Sequence, residues 1–241
     1  EPVPSTMDWD LWLGGAEFRP FSSAYAPHDW RGYPDFGCGA IGDMACHILG
    51  TPNMALRLGD PLSVECIEQH GKGKFTFPQR NVIRFDFPAR GAMPPVKLYW
   101  YDGLTERPSF KGVADDELLG DKDVNGSLFI GTKGMVTTGC YGERTRLVPA
   151  EKMKDYQMPP KFLTRSPGHY RDWIRACKGG EPACSNFGVA GPFVQWMLLG
   201  VIAMRFEGKL EWDANRKRFS NNKAANELLR PYFRKGWKFA S

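Results

Sequence analysis

Asp43 and His47 stand four residues apart in the segment DMACHIL, which has no internal helix breaker. On a helix they share one face. An imidazole moves protons near neutral pH, and a carboxylate one turn away can orient it, favour its charged form or hold a substrate hydroxyl. The same spacing also suits a capping aspartate beside a hydrogen-bonded core histidine, and on spacing alone that plainer version is the commoner one. Just upstream, Gly37, Gly39 and Gly42 spell G-x-G-x-x-G, the pattern that lets a backbone approach a dinucleotide pyrophosphate at a helix start. That pattern must follow a strand. Here the preceding SSAYAPHDWRGYPDF reads as loop, and Asp60, at about the expected ~20-residue spacing, sits in a turn-like LRLGDP.

Further candidate site residues stand close to the pair in the sequence. Trp30, Arg31 and Asp35 lie on the loop that runs into the Asp43/His47 helix. Core and site roles weigh equally for these three, because their loop runs straight into that helix. His169, at a helix start after SPG, is a further substrate-contact candidate against a capping or surface role. For Trp9, Trp12, Trp100, Trp173 and Trp196 the expectation is core packing. The six cysteines (Cys38, Cys46, Cys66, Cys140, Cys177 and Cys184) form no C-x-x-C pair, so buried free thiols are expected, with neither a metal site nor a dithiol centre. Cys46 adjoins His47, but neighbouring helical positions point about 100° apart, which argues against a Cys/His nucleophile. The four histidines are too dispersed to suggest a metal cluster.

Composition is that of an ordinary globular chain of 241 residues, 42% hydrophobic and 24% charged, long enough for one sizeable core. The net charge of +5 is spread among acids, so no nucleic-acid footprint emerges, and the Arg216–Arg218 cluster reads as a solvated face. The longest apolar stretch, Phe193 to Met204, is shorter than the ~20 residues of a membrane span and reads as a buried helix. The chain opens EPVPSTMDWD, without a signal core or initiator methionine, which points to a processed chain or an excised piece. Cytoplasmic and exported origins both stay open.

The pair must be positioned by what surrounds it. A loop-rich opening to Asp35 leads into its helix, and strand-like runs follow at Leu62–His70, Asn81–Phe87 and Val96–Tyr101. Ser127–Ile130 and Met135–Thr138, joined by GTKG, read as a hairpin, and Thr105–Asp123 as a long surface loop. Helices are expected at His169–Lys178, with Tyr170, Trp173, Ile174 and Cys177 at helical spacing, at 192–207 opened by Pro192, and at about Lys223–Arg230 before Pro231. A short strand falls at Lys209–Trp212. An antiparallel sheet flanked by helices is an α+β architecture.

Seven runs taken in order, DWDLWLG, WRGYPDFGCGAIGDMACH, PVKLYWYDG, LFIGTKG, RSPGHYRDWIRACKGG, CSNFGVAGP and KLEWD, closely resemble the C-terminal domain of the glucose-fructose oxidoreductase / inositol dehydrogenase (Gfo/Idh/MocA) family. The resemblance spans essentially the whole chain. It implies one substrate-binding and oligomerisation domain over residues 1–241, with a large open, predominantly antiparallel sheet and helices on one face. It also implies that Asp43 and His47 match an Asp-x-x-x-His pair lining a sugar site, and that the other sheet face mediates homo-oligomer contacts. Family members place an NAD(P)-binding Rossmann domain before this region, and neither that domain nor its Glu-Lys-Pro lysine is found in these residues. The reading that follows is half an enzyme: a nicotinamide-dependent oxidoreductase of a sugar or polyol, with NAD or NADP bound mainly by the other domain and none held tightly here. His47 then moves the hydroxyl proton and Asp43 orients it or the substrate, and the chain alone is expected to be inactive. A stand-alone carbohydrate-binding or assembly module and an NAD-dependent glycoside-cleaving relative are the alternatives.

Overall fold

In a computed structural model of the chain, residues 1–104, 107–120 and 125–238 are described. Backbone packing divides them into two compact units. The first comprises residues 1–46, 60–104 and 196–238, and the second residues 47–59, 107–120 and 125–195.

The first unit is built on a five-stranded antiparallel sheet ordered β3-β2-β1-β7-β8. Its strands are β1 (Ser63–His70), β2 (Arg80–Phe87), β3 (Val96–Asp102), β7 (Leu210–Asp213) and β8 (Arg218–Phe219). The alternation of β2 explains its two faces, because a strand sends successive side chains to opposite sides. Ile83, Phe85 and Phe87 are buried, and Trp196 packs edge-on against Phe85 and Phe87 at ring-centroid distances of 5.2 and 5.1 Å. Burial of each such ring is worth about 1.5–3 kcal/mol. Helices α2 (Gly39–Ile48) and the later part of α5 (Phe187–Ala203) close over this face, meeting at Gly200, where an added Cβ would lie 2.5 Å from Ile41 and 3.0 Å from Phe85. The opposite face pairs Ser63 with Asp86, Glu65 with Arg84 and Arg84 with Tyr99 across the strands, a polar and aromatic surface. The expected α+β class, antiparallel sheet and one helical face are therefore present, although the sheet of this unit holds five strands and the remaining three form a sheet of their own.

That smaller sheet belongs to the second unit and runs β4 (Gly126–Gly131), β5 (Gly134–Gly139), β6 (Arg146–Val148). The β4–β5 hairpin turns through Gly131–Gly134 as the sequence leads one to expect, and β6 is an addition. Of the loop expected at Thr105–Asp123, residues 105, 106 and 121–123 lie outside the described residues; residues 107–120 contain turns and no helix or strand.

Four sequence expectations need correction. Pro192 does not open α5 but lies inside it; the helix begins at Phe187 after Asn186, whose side chain accepts from the Gly188 N–H at 2.9 Å and supplies the start signal. The loop-rich opening contains α1 (Trp9–Leu13), capped by Asp8 accepting from the Leu11 N–H, and a 3-10 turn at Asp29–Gly32. Of the six free thiols only Cys140 is buried. Finally, α4 (His169–Cys177) carries its apolar stripe outward: Trp173 is 66% and Tyr170 79% exposed, so Trp173 is no core residue. The reason is Asp172, buried on the opposite side, where its carboxylate accepts from the Cys184 N–H at 2.8 Å and from Arg175 at 2.6 Å. A buried carboxylate with its partners in place outweighs the apolar stripe in fixing the helix's rotation.

Candidate functional site

Ile41, Ala45 and Ile48 are buried along one stripe of α2, at the i, i+4, i+7 spacing of a core-facing helix. Asp43 and His47 fall on the opposite, exposed side one turn apart. The helix therefore presents the pair to solvent, and the alternative of a core histidine does not describe His47.

In the first unit Asp43 is held by Arg31, whose Nε lies 3.0 Å from Oδ2. The same guanidinium sits 4.8 Å over the Trp30 ring and donates to the His28 carbonyl. One arginine thus stacks on an aromatic ring and fixes a carboxylate. A second arginine repeats the arrangement nearby in sequence: Arg19 pairs with Asp35 and lies 5.1 Å over the Phe36 ring. Partial burial works against the Arg19 charge, but hydrogen bonds to Asp35 and Tyr25 outweigh it and hold the guanidinium above its ordinary pKa. Sequence reasoning marked Trp30, Arg31, Asp35 and Asp43; it missed Arg19, which carries no local signal.

Aromatic rings pack along the loop bearing these groups. Trp9 stacks on Trp12 at 4.7 Å, Trp12 meets Phe36 edge-on at 4.9 Å, and Tyr25 contacts both Tyr33 and Phe36. The three glycines of the G-x-G-x-x-G pattern serve this packing. A Cβ on Gly37 would lie 2.5 Å from the Arg31 Cα and 2.7 Å from its carbonyl oxygen. Gly39 adopts φ +64° with the Phe77 ring against it, and Gly42 faces the Cys38 side chain one turn back. The preceding segment is the 3-10 turn and further turns, without the strand that a dinucleotide fingerprint requires. Each glycine is already committed to close packing, and the arrangement does not fit a pyrophosphate.

In the second unit the His47 ring meets the Tyr141 ring edge-on at 5.4 Å. Tyr141, in the turn after β5, is a neighbour that no spacing in the sequence identifies. Cys46 donates its thiol to the Asp43 carbonyl at 3.3 Å, a local helix contact. His169 opens α4 in this same unit, exposed, with its ring against Tyr170. The structure thus brings together Trp30, Arg31 and Asp43 in one cluster and Asp35 with Arg19 in another, while His169 belongs to a different unit.

The first unit also contains an open cavity of about 920 Å³. Trp30 and Asp35 line it; Asp43 and His47 do not. Among the described residues no helix is long and apolar enough to cross a membrane. Residues 1–74, which include all of this cluster, match the family described as "Oxidoreductase family, C-terminal alpha/beta domain" of the Gfo/Idh/MocA group. No curated protein matches the chain.

Proposed function

We propose, with support from the match of residues 1–74 to the C-terminal domain of the Gfo/Idh/MocA oxidoreductases, that this chain supplies the substrate-binding half of a nicotinamide-dependent oxidoreductase acting on a sugar or polyol. The observation that carries the reading is the shared exposed side of α2, with Asp43 anchored by Arg31 above Trp30 and His47 one turn further on. His47 exchanges the proton of the reacting hydroxyl at a ring nitrogen, the role an imidazole fills best near neutral pH. Asp43 accepts from a substrate hydroxyl through the carboxylate edge that Arg31 leaves open, and charge assistance makes that hydrogen bond one of the stronger kind. Trp30 offers its ring to the apolar C–H face of the sugar.

NAD or NADP is assigned to another domain of the full-length protein, because Gly37, Gly39 and Gly42 are consumed by packing. Cofactor chemistry then depends on that domain, and the chain alone is inactive. Self-association is assigned to the open face of the five-stranded sheet, where Tyr99 and Tyr101 stack at 6.4 Å. The test is ligand-observed NMR on the isolated chain with glucose and myo-inositol. Binding that weakens about tenfold in Asp43→Asn and in Arg31→Met, with NADH binding absent throughout, supports the reading; saccharide binding indifferent to Asp43, or turnover by this chain alone, overturns it.

A further inference from the structure

We infer that the cavity of the first unit is a saccharide subsite beside the Arg31–Asp43 cluster, and that the substrate carries more than one sugar ring. The inference rests on the sugar reading above and extends it to the size of the substrate. At about 920 Å³ the cavity is several times the space of one hexose and near the top of the ~300–1,000 Å³ range of small-molecule sites. Its lining includes the aromatic residues Trp12, Trp30 and Tyr232 and the charged residues Asp35, Glu227 and Arg230. This combination suits pyranose rings, whose C–H faces pack on aromatics while neighbouring hydroxyls bridge carboxylates and guanidinium groups.

Part of the wall is held by contacts within the unit. Trp12 is wedged between Trp9 and Phe36, and Asp35 is held by Arg19. The C-terminal wall is tied to the end of α1 by Arg234, whose backbone N–H donates to the Gly15 carbonyl at 3.0 Å. Its side chain reaches the Gly14 carbonyl at 2.9 Å and the Asp10 carboxylate at 2.8 Å. Gly15 has no side chain where the Phe233 ring presses against it, so the two walls approach as closely as backbone allows. A site organised in this way loses little entropy on binding. Continuity with the reaction centre runs through adjacent residues: Trp30 lines the cavity and Arg31 holds Asp43.

The experiment compares glucose, maltotriose and cellotriose by calorimetry and ligand-observed NMR on the whole chain, in the wild type, in Tyr232→Ala and in Asp43→Asn. Tyr232 is 70% exposed, so its truncation leaves the fold intact. One trisaccharide is expected to bind at least tenfold more tightly than glucose, with that advantage lost in Tyr232→Ala and glucose affinity unchanged there. Asp43→Asn weakens both ligands. Trisaccharides that bind no better than glucose, with glucose still sensitive to Asp43, overturn the subsite and leave the sugar reading standing; absence of binding by all three overturns both.

Discussion

Replacing Gly37 by alanine distinguishes a packing glycine from a nucleotide-binding one. The added Cβ would stand 2.5 Å from the Arg31 Cα, 2.7 Å from its oxygen and 2.9 Å from its carbonyl carbon, where ordinary contact begins at 3.4 Å. All three are backbone atoms and cannot swing aside. The Asp29–Gly32 turn must therefore move away from Gly37 by the difference between 2.5 and 3.4 Å, about 0.9 Å. That turn is tied elsewhere by the Trp30 N–H to Tyr25 and by the Phe77 N–H to the Gly32 carbonyl, so the shift meets resistance. Overpacking of this kind costs about 1–3 kcal/mol, which for a chain of this length lowers Tm by roughly 3–10 °C. The same shift stretches the 3.0 Å Arg31–Asp43 ion pair toward its limit, but with both side chains partly exposed that loss adds at most about 1 kcal/mol. Calorimetry reads the stability, and NMR of the Arg31 Nε–H reads the ion pair. A Gly37→Ala protein with wild-type Tm and an unchanged Arg31 signal would refute the packing argument, and loss of NADH binding with no loss of stability would restore the fingerprint reading.

Two further outcomes follow from the sheet of the first unit. Gly200→Val forces atoms into the junction of α5 with Ile41 and Phe85, and urea unfolding is expected to show a loss of about 2 kcal/mol or more; a Val variant as stable as the wild type would mean that α5 does not press on β2 there. Burial pushes the Asp102 carboxyl above its ordinary pKa of 3.8, with hydrogen bonds from Trp100 Nε1 at 2.8 Å and Asn81 Nδ2 at 2.9 Å holding it partly back. The fold therefore favours the protonated form, and this contribution is fully present below pH 3.8 and is lost as pH rises through the raised folded value. Relative to Asp102→Asn, the wild type should lose stability across that interval in a series of melts from acid to neutral pH; a difference that stays flat or runs the other way contradicts it.

Elements with a strong local period were legible in the sequence and those fixed by a remote partner were not. Strands β1 to β3 and the β4–β5 hairpin follow their branched and aromatic runs closely, because alternation over a buried face is written residue by residue. Strands β6 and β8, three and two residues long, are too short to show a period and exist because a neighbouring strand pairs with them. Helix α4 shows local pattern failing for a definite reason. Its stripe is real, but the buried Asp172 and its partners at Cys184 and Arg175 set which way the helix turns.

For the candidate site, the sequence by itself determined that Asp43 and His47 share one side of a helix, since four residues are about one turn; that this side is the exposed one was decided by the burial of Ile41, Ala45 and Ile48. The sequence also placed Trp30, Arg31 and Asp35 on the approach to that helix. Only the tertiary structure decided that Arg31 takes Asp43, that Arg19 takes Asp35, that Tyr141 meets His47, and that the C-terminal segment walls a cavity with Trp12 and Trp30. Those partners are 12 to about 200 residues apart along the chain, and no period or spacing encodes a contact that exists only once the loops have been packed against one another.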